Sequence, residues 1–444
     1  MILQTLLATM FRTMQSKRTV PIELRHYFYH LYLDVAWFGI VAGSSQAFLG
    51  VYVARLGATP LQMGLLNAGP ALMGLLFTMP AGLWLRRQPM GRAVFWTAAI
   101  SRIQFLLWAL LPGLLPAQGQ VWSYLALVLL FTIPATVLAI SFNAMYAAAV
   151  PPEYRGLVAG NRNALLALVF VVTSLVSGWV LNTLPMTLGY QLIFGVGFVG
   201  AVMSTYHLWN LRHVTTASIE EPEKIRGLLG DSAQPGEMRM TGVNSRINVG
   251  LRAATRGVGL LRLELLRGAY GKVIAALFVF HVAQYLPIPV MPLFWVDEAH
   301  FSDWEIGLGT AAFHAAVLIG SLQFVRYAGR WNNRQLTGVG AVLLGAYPLL
   351  AAFSLNVPML LATSIAGGLA WSIVGGALAN YLLEQTPEID RPAYLSWYNL
   401  ALNAAVLIGS LSGSVLAEWV GLVPTLLLAA LLRALSGVAL WRWR

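Results

Sequence analysis

Three ionisable side chains stand inside long apolar runs of this sequence, where they can do chemistry. Asp34 lies in LYLDVAWFGIVAGSSQAFLGVY at 31–52, a run long enough to cross a bilayer. A carboxylate at the centre of such a helix costs about 2.5–3.5 kcal/mol, so a partner or a task must offset it. Two readings stand: a buried proton carrier, or a structural carboxylate paired with an arginine. His281 opens HVAQY; Gln284 and Tyr285 follow at i+3 and i+4 on the same helical face. Pro287 and Pro289 come next and free backbone carbonyls. Histidine titrates near neutral pH, which suits proton exchange; the alternative is a hydrogen-bonded core histidine. Arg102, ten residues into a third apolar run, either neutralises Asp34 or binds an anionic group.

The elements that must position these groups are membrane helices. The chain has 444 residues, 58% hydrophobic and 10% charged, with a mean hydropathy of +0.69. A soluble protein carries roughly 25% charged residues. About 20 apolar residues cross a bilayer as a helix, and the continuous runs do not alternate as barrel strands do. The expected fold class is therefore an all-α membrane protein. Its twelve spans fall near 28–54, 60–84, 92–114, 120–148, 160–183, 189–211, 271–296, 303–327, 335–354, 358–384, 393–418 and 421–441. With no cysteine, disulfides and thiolate metal sites are excluded; neither a metal nor a cofactor is expected.

Charge sets the topology. Of the 28 Lys and Arg, 25 fall in the N-terminal arm, the even-numbered joins, the central loop and the tail. Arg155 and Arg162 are counted in the fourth join. The opposite side shows Arg55 beside Asp297, Glu298, Asp303 and Glu305. The positive-inside rule then places both termini and the central loop in the cytoplasm of an inner or plasma membrane. The net charge of +11 is a solvated inner face, and no nucleic-acid partner is needed. The expected organisation is a cytoplasmic arm at 1–24 with a possible interfacial helix, a six-helix half at 25–211, a cytoplasmic loop at 212–270 and a second half at 271–444. Arg252, Arg256, Arg262 and Arg267 punctuate apolar residues in the loop, as in a basic helix on anionic lipid or an ordinary linker helix.

The two halves repeat. DVAWF at 34–38 matches HVAQY at 281–285, which sets Arg25 on Lys272 and Asp34 at the depth of His281, ~13 Å in. VYVARLGATPLQMG at 51–64 matches FWVDEAHFSDWEIG at 294–307, and PEYRGLVAGNRN at 152–163 matches PEIDRPAYLSWYN at 387–399. Together with LGATPLQMGLLNAGPALMGLLFTMPAG at 56–82, GLWLRRQPMGR at 82–92 and VPPEYRGLVAGNRN at 150–163, this pattern resembles the major facilitator superfamily over roughly 25–441. The resemblance implies two pseudo-symmetric six-helix halves rocking about a midplane site lined by spans 1, 4, 7 and 10. It makes Gly82, Arg86, Arg87, Gly91, Arg92, Arg155 and Arg391 gating-loop candidates. The family's Asp in the 82–92 loop is missing here; the arginines there can meet a helix C-terminus or lipid phosphate.

The remaining candidates for a substrate or proton pathway are Trp37, Phe38, Ser45, Gln46, His314 and Trp371. The aromatics suit apolar or cationic ligands. Arg433 is expected to snorkel; Asn399 and Asn403 either bridge helices or line the cavity, with helix packing the favoured reading. No enzyme motif is present, and the absence of G-x-x-x-x-G-K-[ST] argues against direct ATP drive. The expected function is secondary transport of a small molecule by a monomer in contact with membrane lipids, with protons as the candidate coupling ion. Two alternatives remain at this point: a non-transporting membrane scaffold or assembly factor, and an uncoupled facilitator.

Overall fold

The computed structural model of the chain describes residues 21–85, 87–212, 263–328, 331–387 and 391–442. Most of the N-terminal arm and most of the central loop, with its basic stretch, lie outside them. Among the described residues twelve long helices follow one another as two groups of six. Helix α1 comprises Ile22–Val41, a π-helical turn Ala42–Gln46 and Ala47–Arg55; α2 is Pro60–Leu85, α3 Met90–Leu114, α4 Ala117–Ala149, α5 Pro152–Thr183 and α6 Met186–Asn210. In the second group α7 comprises Ala269–Tyr285, Val290–Leu293 and a π-helical turn Phe294–Glu298; α8 is Asp303–Ala328, α9 Asn333–Ala351, α10 Val357–Glu384, α11 Arg391–Val420 and α12 Leu422–Arg442. Among the described residues eleven helices are long and apolar enough to cross a membrane. The shorter α9, 19 residues with the polar start Asn333-Arg334-Gln335, is not one of these. Large apolar side chains such as Trp96, Leu114 and Leu322 stand on the outside, where lipid covers them.

The repeat in the sequence is a repeat in the backbone. At the join before α2, Gly57 has φ +81°; at the join before α8, His300 takes the matching place with φ +52°. Each helix then opens with a reciprocal cap. The Gln62 amide donates to Thr59 Oγ1 at 3.3 Å while Gln62 Oε1 accepts from the Thr59 amide at 2.8 Å. Ser302 and Glu305 repeat this, at 3.3 and 2.7 Å. Such caps satisfy amides that the helix itself leaves without acceptors. Two residues further on, Gly64 and Gly307 lie at the crossings of the halves. Gly64 of α2 lies against Ser410 and Ser414 of α11, and Gly307 of α8 against Ser174 and Gly178 of α5. Small residues let backbones approach, which is how helices pack where lipid removes the hydrophobic drive.

Proline dictates the strongest side-chain ties. Pro287 has no amide for the Ala283 carbonyl, and Pro348 has none for Leu344. Arg433 of α12 meets both: its guanidinium donates to Ala283 O (3.2 Å), Gln284 O (2.5 Å) and Leu344 O (3.4 Å). The expected snorkelling does not occur. Arg433 is 2% exposed and joins α7, α9 and α12 through backbone. In α3, Pro112 orphans the Trp108 carbonyl, which accepts from Tyr124 Oη of α4 at 2.8 Å. Asn403 also departs from expectation, since its Nδ2 donates to Asn399 O within α11.

Replacing Arg433 with Met leaves buried carbonyls bare, at about 1–3 kcal/mol each. We expect R433M to lower the thermal unfolding temperature of the detergent-purified protein. P287A, which restores an amide at 287, should recover part of that loss in the double variant but gain little in the wild type. Additive effects would dissociate Arg433 from the proline break.

Candidate functional site

The centre of the N-terminal half is a charge cluster on four helices. Asp34 of α1 is 3% exposed. Its Oδ1 accepts from Ser204 Oγ of α6 at 2.5 Å and lies 3.8 Å from Arg102 Nη2 of α3. Its Oδ2 accepts from Arg162 Nη2 of α5 at 3.4 Å. Arg102 also donates to Ser204 Oγ (2.8 Å), Thr205 Oγ1 (2.6 Å) and Ala201 O (3.2 Å). Arg162 lies over the rings of Phe142 and Tyr146 of α4, 4.7 and 5.4 Å from their centroids, a favourable place for a desolvated cation. One carboxylate thus faces two guanidinium groups, and Arg162 Nη1 is buried without a hydrogen-bond partner.

One turn towards the α1 N-terminus, two imidazoles meet. His30 and His207 place their Nδ1 atoms 2.9 Å apart, with 8% and 6% of their surfaces exposed. The ring of His26, which is exposed, stands edge-on to His30 at 4.5 Å. His26, His30 and Asp34 fall at i, i+4 and i+8 on one face of α1, and His207 falls at i+3 from Ser204 on α6.

In the C-terminal half His281 is 5% exposed, and its Nε2 pairs with Tyr398 Oη of α11 at 3.1 Å. Gln284 Oε1 is buried without a hydrogen-bond partner, while the Gln284 carbonyl holds Arg433. Tyr285 packs beside His281, with centroids 6.4 Å apart. The contacts described for Asp34 run to α3, α5 and α6, and the hydrogen bond described for His281 runs to α11. Arg102 takes the neutralising role. Arg162 is not a loop charge, because α5 begins at Pro152 and carries it three turns into the bundle.

The other candidates separate. Ser45 is buried, and its Oγ, without a hydrogen-bond partner, points at Gly197 of α6, where even a Cβ would not fit. Phe38 is buried, and Trp37, Gln46 and Trp371 are half-buried. His314 of α8 bonds Thr310 O at 2.9 Å and lies against Phe170 of α5, 3.9 Å between centroids, so it sits at a crossing of the halves. Arg155 is 2% exposed and donates to Val150 O and Ala147 O at 3.1 and 3.0 Å, closing the C-terminal end of α4. Gly82 is buried, and Gly91 is pressed against the Arg212 backbone. Arg87 and Arg92 are exposed; Arg86 and the Arg391 side chain lie outside the described residues.

Polar contacts between the halves gather at the end where α1 stops. Arg55 of α1 pairs with Asp303 Oδ1 of α8 at 3.2 Å and donates to Phe301 O at 2.5 Å. Glu418 of α11 accepts from the Leu61 amide at the start of α2 at 3.1 Å, an acid at a helix N-terminus.

Comparison with known proteins agrees with this architecture. Residues 273–444 match the sequence pattern of the Major Facilitator Superfamily. The whole chain superposes on the xylose transporter XylE of E. coli in a partially occluded inward-open conformation. That match covers 94% of this chain and 98% of the other, with a TM-score of 0.66 and 14% identity. The fold is that of the major facilitator superfamily. A bacterial homologue of the iron transporter ferroportin, inward-facing, gives a TM-score of 0.69 at 15% identity, over 96% of this chain and all of that one. By sequence, 141 residues are 25% identical to Multidrug resistance protein 2 of Bacillus subtilis (strain 168). The alignment spans 32% of this chain and about a third, 35%, of the relative. The chain is an integral, multi-pass membrane protein with this fold.

The charge cluster carries a stability prediction. D34N leaves two buried guanidinium groups without their carboxylate, and breaking a buried pair costs about 3–5 kcal/mol. Thermal unfolding should show a larger loss for D34N than for the D34N/R162Q double variant. If the double variant is the less stable of the two, Arg162 is held by its aromatic walls rather than by Asp34.

Proposed function

We propose that this chain is a secondary transporter that moves a small molecule by alternating access, with the proton as coupling ion. The observation that carries the reading is the ion pair Arg55–Asp303, which ties the halves at one end. Among the described residues, the hydrogen bonds of Asp34 and Arg433 join helices of a single half, which suits two bodies that rock against each other. The likeness to inward-open and inward-facing solved structures supports a state closed at the Arg55 end. With the positive-inside assignment, that end is the outer one, both termini are cytoplasmic, and the segments 25–211 and 271–444 are the rocking units. Proteins of similar fold include a D-xylose–proton symporter and a nucleoside transporter, which agrees with a small solute. Asp34, His281 and the polar atoms near them are the groups we assign to the pathway.

The sequence contains no cysteine, so a single introduced thiol reports accessibility without background. Gly50 of α1 lies beside Pro292 of α7, where a Cβ has ordinary van der Waals room. We expect G50C to react slowly with a membrane-impermeant maleimide added outside. R55Q and D303N should each raise that rate severalfold, and the double variant should raise it no further. Equal rates in all four proteins would remove the latch. In proteoliposomes under an imposed pH gradient, D34N should abolish pH-driven uptake; uptake at the wild-type level removes Asp34 from the coupling.

A further inference from the structure

Two buried imidazoles in contact are an unusual way to fill a membrane bundle, and the pairing of Asp34 with arginine does not require them. We infer that His30 and His207 together form one proton-binding site that holds a single exchangeable proton, with Asp34 as its fixed counter-charge. As the seat of a coupling proton, the site rests on the transport reading above. As a chemical site, it stands on the geometry alone.

At 2.9 Å between Nδ1 atoms, one hydrogen fits between the rings. In the neutral pair one ring is the Nδ1–H tautomer and donates; the other carries its hydrogen on Nε2 and accepts. An added proton goes to the outward Nε2 of the donor ring. That ring becomes imidazolium and keeps donating its Nδ1–H to its neutral partner, a charge-assisted bond stronger than the one it replaces. A second proton would have to enter at the partner's Nδ1. Two N–H groups would then point at each other, and two positive rings would lie with centroids 5.1 Å apart. The pair therefore stops at one proton and titrates as a unit.

The neighbours fix where the proton comes from and what holds it. On α1, His26 is exposed and its ring touches that of His30, which gives the pair a titratable neighbour at the surface; Tyr29 lies at 5.5 Å between centroids. On α6, Tyr206 flanks His207 at 5.3 Å, and Asp34 of α1 lies within electrostatic reach of His207. Arg102 of α3 and Arg162 of α5 approach the pair through Asp34. Those two cations oppose the proton and the carboxylate favours it. Proton affinity thus depends on how closely Asp34 is held by Arg162, whose 3.4 Å contact comes from another helix. A change in the α1–α5 packing moves the affinity, and proton binding in turn pulls on Asp34, as linkage demands.

The test counts protons. Full-length protein in weakly buffered detergent is taken from pH 8 to pH 4, and the acid consumed is compared among wild type, H30Q, H207Q and H30Q/H207Q. We expect the double variant to take up about one proton fewer than wild type. Each single variant should keep that proton with an affinity about tenfold weaker, one pH unit in the midpoint. A deficit of two protons means independent histidines, and no deficit means a permanently neutral structural pair; either result overturns the site. Should glutamine at these positions unfold the bundle, 15N-histidine NMR of the wild type decides the question. Two rings with a common midpoint uphold the pair, whereas separate midpoints or none reject it. A shared proton in a protein that moves no solute under a pH gradient would remove the coupling and leave the site. pH-driven transport without the shared proton would do the reverse.

Discussion

A backbone carbonyl or a charged side chain in a lipid-embedded bundle has no water to turn to, and most polar ties in this structure answer that constraint. Prolines in α3, α7 and α9 each leave a carbonyl without its helical donor. The replacements are side chains from neighbouring helices, Tyr124 for Trp108 and Arg433 for both Ala283 and Leu344. The same logic governs Asp34, which is surrounded by Ser204, Arg102 and Arg162 from three other helices. An arginine whose donors are spent on carbonyls needs no carboxylate. An aspartate deep in the bundle does need a cation, and here it has two.

These ties join helices of the same half. What lies between the halves is of another kind: glycine and serine at the α2–α11 and α5–α8 crossings, aromatic contact at Phe170–His314, and ionic groups at one end. Small residues permit close approach without interlocking, so sliding there breaks few hydrogen bonds. Arg55 and Asp303 keep 23% and 12% of their side-chain surfaces exposed, so the cost of taking both charges out of water offsets much of their attraction. A latch of that kind can bias two states of similar energy without locking either.

Features set by local chemistry were legible in the sequence. The matched segments 51–64 and 294–307 announced the repeat, and the paired turns and reciprocal caps lie within them, since a cap depends on residues three apart in the chain. Asp34, Arg102 and His281 were visible as charges inside apolar runs. Arg162 was not, because in the sequence it reads as part of the basic join that holds Arg155, although α5 carries it three turns into the bundle. Nor were His30 and His207, although the spacing of His26, His30 and Asp34 on one face is a signal that was available. Arg433 was misplaced for a physical reason. In lipid the outward and inward faces of a helix are both apolar, so periodicity does not reveal which way a residue turns. Which helix stands opposite decides the partner, and that is a property of the assembled bundle.

The tie between Arg433 and α7 also orders events during synthesis. The Ala283 carbonyl is made 150 residues before the guanidinium that satisfies it. When α7 enters the membrane, its proline break has no donor from α12, because α12 does not yet exist. Translocon, lipid headgroups or trapped water must shelter that break until the last helix arrives. A chain that ends before Arg433 retains α7 and α9 but not the group that joins them, so the second half becomes a finished body only with its final helix.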